Sequence, residues 1–199
     1  MASRIHLVRH AEVHNPDHVV YASLPGFGLS ELGRGQAKAA SRYLGSQPIV
    51  AVWSSPLQRA LETASPIAAR LGLPVKVDPE LTEWRLSDVW AGLRWEEIPV
   101  VRPGELEAYL EHPDRLPFSA EPLEELAVRM RSALERVSAL HPQGDVVVVS
   151  HQDPVQAARL AITGTPLSQL NVDKPEHASV ATIKPGTPWR EEVRWSPSQ

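Results

Sequence analysis

Apolar positions along this chain follow two alternating periods. Short apolar runs at residues 4–9, 49–53 and 75–77 predict strands, and between them the spacing switches to that of one-sided helices. Ser30 is placed to cap a helix over 31–44 that Gly45 ends. A second helix is predicted over 56–71, opening on Pro56, stopping at Gly72 and kinked by Pro66. Residues 104–111 and 122–140 also read as helical, the latter repeating Leu123, Leu126, Val128, Met130, Leu134 and Val137 along one face. The unbroken run 146–150 has the pattern of a central strand buried on both faces. A helix over 154–163 then stops at Gly164, and 178–184 with 189–195 form a hairpin around Pro185-Gly186.

This alternation predicts an α/β fold, a three-layer α/β/α sandwich with a mostly parallel central sheet. There is no internal repeat or low-complexity linker, so residues 1–199 are expected to form a single domain. The proline- and tryptophan-rich stretch 84–121 breaks both periods and is expected to be a small insertion capping a pocket.

Composition narrows the picture. A length of 199 residues suffices for one sizeable core. A formal net charge of −4 gives no reason to expect nucleic acid or an anionic membrane as partner. Cysteine is absent, so disulfides are excluded. The chain enters its first strand at once, without an apolar leader or a bilayer-length apolar run, so a cytoplasmic protein is expected.

The candidate chemistry sits at strand ends. Ile5-His6-Leu7-Val8 delivers Arg9 and His10, Val52-Trp53-Ser54-Ser55 precedes Arg59, and four valines run into Ser150-His151. Open α/β sheets bind ligands outside the carboxyl ends of their strands. Two arginines and two histidines brought there would suit a phosphoryl group. Guanidinium forks donate in pairs to its oxygens, and a neutral imidazole attacks phosphorus without anionic repulsion.

The order of motifs resembles the histidine phosphatase superfamily in its phosphoglycerate mutase-like branch. Leu7-Val8-Arg9-His10-Ala11-Glu12 comes first, then Leu29-Ser30-Glu31-Leu32-Gly33 and Ser54-Ser55-Pro56-Leu57-Gln58-Arg59-Ala60. Leu81-Thr82-Glu83, Val149-Ser150-His151 and His177-Ala178-Ser179-Val180 follow in register, so the likeness runs from about residue 4 to residue 184. The resemblance implies a metal-independent phosphomonoester hydrolase that needs no cofactor and acts on a small phosphorylated substrate. It implies His10 as the nucleophile that becomes phosphorylated, with His151 donating to the same group and Arg9 and Arg59 clamping its oxygens. Glu83 is the implied proton donor, preferred to Glu80 and Glu12. Its pKa must be raised by apolar walls for that task, and Trp84 and Trp90 could supply them.

Asn15 is a further phosphate-contact candidate, although it falls one position early and an Asn-Pro turn explains it equally well. Three departures stand out: Ala11 where a glycine is usual, Gln152 after the second histidine, and Ala120-Glu121-Pro122 in place of Gly-Glu-Ser. The backbone N–H of Gln152 could still face phosphate.

Other readings stay open at this point. A mutase shares the first half-reaction, and a non-catalytic phospho-ligand binder would keep the fold without the chemistry. The run His6, His10, His14, His18 has metal-ligand spacing only on a helix, whereas residues 5–8 read as a strand, so no metal is expected. Trp84, Trp90 and Trp95 either anchor the irregular stretch or line a mouth that favours an apolar leaving group. Arg85, Arg94 and Arg102 could instead meet a second anionic group. A homodimer is compatible with all of these.

Overall fold

The computed structural model describes residues 1–197. Strands β1 (Ile5–Arg9), β2 (Ile49–Ser54), β3 (Val75–Val77), β4 (Asp145–Ser150), β5 (Val180–Lys184) and β6 (Arg190–Trp195) form one sheet in the order β3-β2-β4-β1-β5-β6. The first four are mutually parallel, and β5 and β6 close the far side antiparallel.

Helices α1 (Glu31–Leu44), α2 (Gln58–Leu71), α3 (Ile98–Val101), α4 (Glu105–Glu111), α5 (Leu123–Leu140) and α6 (Gln152–Thr163) surround it. Strand periodicity divides the core between two faces. Val147, Val149, Val8 and Val52 pack with Ala60, Ala64 and Ile67 of α2. Val146, Val148, Ile5 and Leu7 pack with α5, α6 and the 84–121 stretch. The sheet is therefore sandwiched between helical layers, as the valine run predicts. Among the described residues no helix is long and apolar enough to cross a membrane.

Several boundaries differ from the sequence reading. Helix α2 begins at Gln58, two residues after Pro56, and continues unbroken through Pro66. Helix α6 begins at Gln152 with His151 as its cap, two residues earlier than predicted. Val128 leaves the apolar stripe of α5 and is 65% exposed, because the stripe rotates toward Ala127 and Met130. The 84–121 stretch is less irregular than expected, holding a 3-10 turn at Ser87–Trp90 as well as α3 and α4.

His6 joins the sheet's framework. Its ring bridges Thr182 Oγ1 and Asp145 Oδ2, both at 3.1 Å, across β5 and β4. His14 and His18 are exposed, so the four-residue histidine run does not converge.

Helix α1 docks directly on the loop after β1. The Ser30 hydroxyl donates to Glu12 Oε1 at 2.6 Å while accepting from Gly33 N at 2.9 Å. A Cβ on Gly33 would lie 2.0 Å from the Glu12 carbonyl oxygen, whereas one on Gly35 would meet open space. Gly33→Ala is thus expected to destabilise by about 1–3 kcal/mol. Gly35→Ala should be neutral or stabilising by up to ~1 kcal/mol through helix propensity. Thermal melts of the two variants check the contrast, and equal shifts would count against this docking.

Candidate active site

The register of the parallel strands brings the site together. Arg9 of β1 lies opposite Ser150 of β4, so the next residues, His10 and His151, leave the sheet side by side. Their ring centroids are 5.2 Å apart. The β2 exit adjoins them, since Ser55 N donates to Val149 O at 2.9 Å. Arg59 then arrives on the first turn of α2. Thr63, one turn on, accepts from Ala11 N at 3.0 Å and donates to Arg59 O at 2.7 Å, tying that helix to the His10 loop.

The protonation of His10 follows from its partners. Nδ1 faces the Ala11 carbonyl at 2.8 Å and must carry the hydrogen. Nε2 is therefore the bare nitrogen, and it accepts from Arg59 Nε at 3.3 Å. Burial first, then the charges of Arg59, His151 and Arg9, push the His10 pKa well below the ordinary value, so the ring stays neutral.

His151 is held through Nε2, 2.7 Å from the Ser55 hydroxyl. That hydroxyl also accepts from Leu57 N, leaving its proton for the imidazole and the His151 hydrogen on Nδ1. Nδ1 is buried without a partner and lies 3.8 Å from Glu83 Oε2. Burial, followed by the nearby arginines, also pushes the His151 pKa well down.

The guanidiniums are fixed before any ligand arrives. Arg9 donates from Nη1 to Pro175 O at 2.8 Å and from Nη2 to His177 Nε2 at 2.7 Å, while its Nε is buried and unpartnered. Arg59 donates from Nη2 to Ala22 O at 2.8 Å and lies 4.7 Å over the Tyr21 ring. An unmet buried donor costs about 1–3 kcal/mol. Arg9 Nε and His151 Nδ1 are two such donors, and an anionic acceptor would satisfy them.

Glu83 joins this cluster from the loop after β3. Its Oε2 lies 3.9 Å from Arg59 Nη2, and its Oε1 accepts from Trp84 N at 2.8 Å. Burial first, then the charge of Asp153, raises its pKa to about 7. Of the competing acids, Glu80 is exposed and Glu12 is engaged by Ser30 at the start of α1.

Arg129 of α5 braces the Glu83 loop. It donates to the carbonyls of Glu80 at 2.6 Å, Thr82 at 3.2 Å and Glu83 at 3.4 Å, and pairs with Glu121 at 2.6 Å. Glu121 also accepts from Arg85 N, and its carbonyl takes the Trp84 indole N–H. The Ala120-Glu121-Pro122 segment, a departure from the family pattern, thus carries a contact of its own.

His10, Arg59 and His151 are each at most 1% exposed and form the floor. Glu83 links that floor to a pocket of about 220 Å³ that Arg9, Gln152 and His177 also line. The carbon wall comes from Trp90 and Trp95, while Trp84 is sealed in the core. Asn15 does not join. Its amide donates to Val19 O at 2.8 Å and its Oδ1 accepts from Val19 N at 3.2 Å, the turn that competes with phosphate contact. Arg85, Arg94 and Arg102 are exposed and outside this pocket.

Sequence reasoning assigned no role to His177, Tyr21 or Asp153. The first was visible in its motif, but its contact with Arg9 spans 168 positions. Ligand atoms of His10, Glu83 and His151 lie within 4.8 Å of one another, the spacing of a metal cage. The flanking guanidiniums and the hydrogen on His151 Nδ1 suit that space to an anion instead.

Residues 5–196 match the histidine phosphatase superfamily, branch 1. An uncharacterized protein of Mycobacterium tuberculosis is 42% identical over 168 residues, covering 81% of this chain and 79% of its own length. Phosphoserine phosphatase 1 of Hydrogenobacter thermophilus is 33% identical over 178 residues, covering 89% and 84%. Among solved structures, mycobacterial glucosyl-3-phosphoglycerate phosphatase complexed with VO3 matches with a TM-score of 0.85 at 29% identity, over 99% of this chain and 100% of that one. By sequence, by fold and by the arrangement at its strand ends, the chain belongs to the histidine phosphatase superfamily, branch 1.

Proposed function

We propose that this protein is a phosphomonoester hydrolase that works through a phosphohistidine at His10, on a small phosphorylated metabolite. The observation that carries the reading is the unprotonated Nε2 of His10, bonded by the fixed Arg59 guanidinium, in a cluster with Glu83, a carboxyl whose pKa is raised to about 7.

A phosphoryl group entering past Glu83 and Tyr21 takes over the long Arg59–His10 hydrogen bond. Arg9, Arg59 and His151 Nδ1 then hold its oxygens as charge spreads over them. Nε2 bonds to phosphorus while the ester bond breaks, and the protonated Glu83 gives its proton to the departing oxygen. Water next attacks phosphorus, the P–N bond breaks, and the Glu83 carboxylate accepts the water's proton. Apart from the substrate and the attacking water, every group in both steps is a side chain of this protein, and the reading calls for no metal. The named activities of the relatives support hydrolysis over transfer.

Hydrolysis of p-nitrophenyl phosphate is expected to be unaffected by chelator, with an acid-labile phosphoenzyme trapped on quenching. Metal dependence, or no turnover by folded protein across a broad pH range, would overturn the proposal. Incubating phosphoenzyme with 3-phosphoglycerate should release inorganic phosphate; bisphosphoglycerate would assign a mutase.

A further inference from the structure

The walls of the pocket outside its phosphoryl end are carbon-rich and carry no unpaired cation. Val20, Leu86, Trp90, Trp95 and Tyr109 line it. The polar atoms of the buried rings are already spent: Trp90 Nε1 donates to Glu105 Oε2 at 2.8 Å, and Tyr109 OH donates to Asp153 Oδ2 at 3.0 Å. What those rings offer a ligand is carbon.

Carboxyl groups, not free cations, stand beside this wall. Asp153 and Glu83 both line it. Lys174, the basic group nearest to Asp153, is bound to that carboxylate at 2.7 Å and to the Tyr109 hydroxyl. Arg9, the sole cationic lining residue among the described residues, belongs to the phosphoryl end. A carboxylate on the leaving group would meet two carboxyl groups and no free cation, a penalty that uncharged groups avoid.

We infer that the substrates are monoesters whose leaving alcohol is uncharged, apolar and about the size of one ring, seated against Trp90 and Trp95. This deepens the hydrolase reading and rests on it. It departs from relatives named for phosphoserine and glucosyl-3-phosphoglycerate, both of which carry a carboxylate.

Three alkyl monoesters of similar intrinsic reactivity test it: 2-phenylethyl phosphate, glycerol 1-phosphate and 3-phosphoglycerate, assayed by phosphate release. The expected kcat/KM for 2-phenylethyl phosphate exceeds the other two by at least about tenfold. Trp95 is 46% exposed, so Trp95→Ala should fold, and it should shrink that preference to within about threefold. Preference for 3-phosphoglycerate, or a preference unchanged in Trp95→Ala, would overturn the substrate class while leaving the hydrolase intact. Failure of folded enzyme on all three esters and on p-nitrophenyl phosphate would overturn both.

Discussion

His10→Ala is expected to lower turnover of p-nitrophenyl phosphate by about four orders of magnitude or more and to abolish the acid-labile phosphoenzyme. The size of the loss follows from the geometry. The three fixed donors remain in the variant and still bind phosphate, but alanine offers no nucleophilic atom. Water would have to attack from a floor that is almost fully closed. The variant should stay folded, because the ring makes one long bond to Arg59 and one local bond to Ala11, and its removal costs about 1–3 kcal/mol. Far-UV circular dichroism and a thermal melt establish folding, and rapid-quench kinetics establish the rate. A folded variant that retains the wild-type rate would move the nucleophile elsewhere.

Glu83→Gln should slow alkyl monoesters about 10²- to 10⁴-fold and p-nitrophenyl phosphate less than about tenfold. An alkoxide needs a proton to depart, whereas nitrophenolate leaves unaided. The wild-type rate on alkyl esters should fall as pH rises through about 7, since the acid form of Glu83 is lost there. In Glu83→Gln that limb should vanish. Equal losses on both substrate types would remove Glu83 from the role of acid.

The same variant has a stability signature. A carboxyl whose folded pKa is raised pays for its charge once the pH exceeds its unfolded pKa, and the full penalty is present above about 7. Glutamine escapes that penalty. Glu83→Gln should therefore melt a few degrees above wild type at pH 8 and near it at pH 4, where both side chains are neutral. Differential scanning calorimetry at the two pH values reads the difference.

How much of this was legible in sequence depends on the range of each interaction. The valine run of β4 and the Ser30 cap are local signals, and both elements form where the pattern places them. His10 and His151 were identifiable because each directly follows an apolar strand, and parallel pairing then makes them neighbours. Asn15 was ambiguous for a local reason: its own backbone four residues on can use both ends of its amide. Val128 misled because a six-residue stripe on α5 tolerates one outlier in periodicity but none in packing. The Arg129–Glu121 pair and the Arg9–His177 contact had no local signature. They depend on where α5 and the approach to β5 settle against the sheet, which composition does not encode.

The Arg129 brace has a consequence for how such a protein can diverge. The carbonyls of Glu80, Thr82 and Glu83 are tied to α5, a helix packed on the sheet, whereas residues 86–116, which supply most of the aromatic wall, reach this loop through Ser87, whose N–H and hydroxyl both donate to the Trp84 carbonyl. The Arg129 brace therefore lies outside the segment that lines most of the wall, and Ser87 is the link between the two. Redesigning residues 88–116, with Ser87 retained, is accordingly a route to new leaving groups that keeps the Arg129 brace on the Glu83 loop.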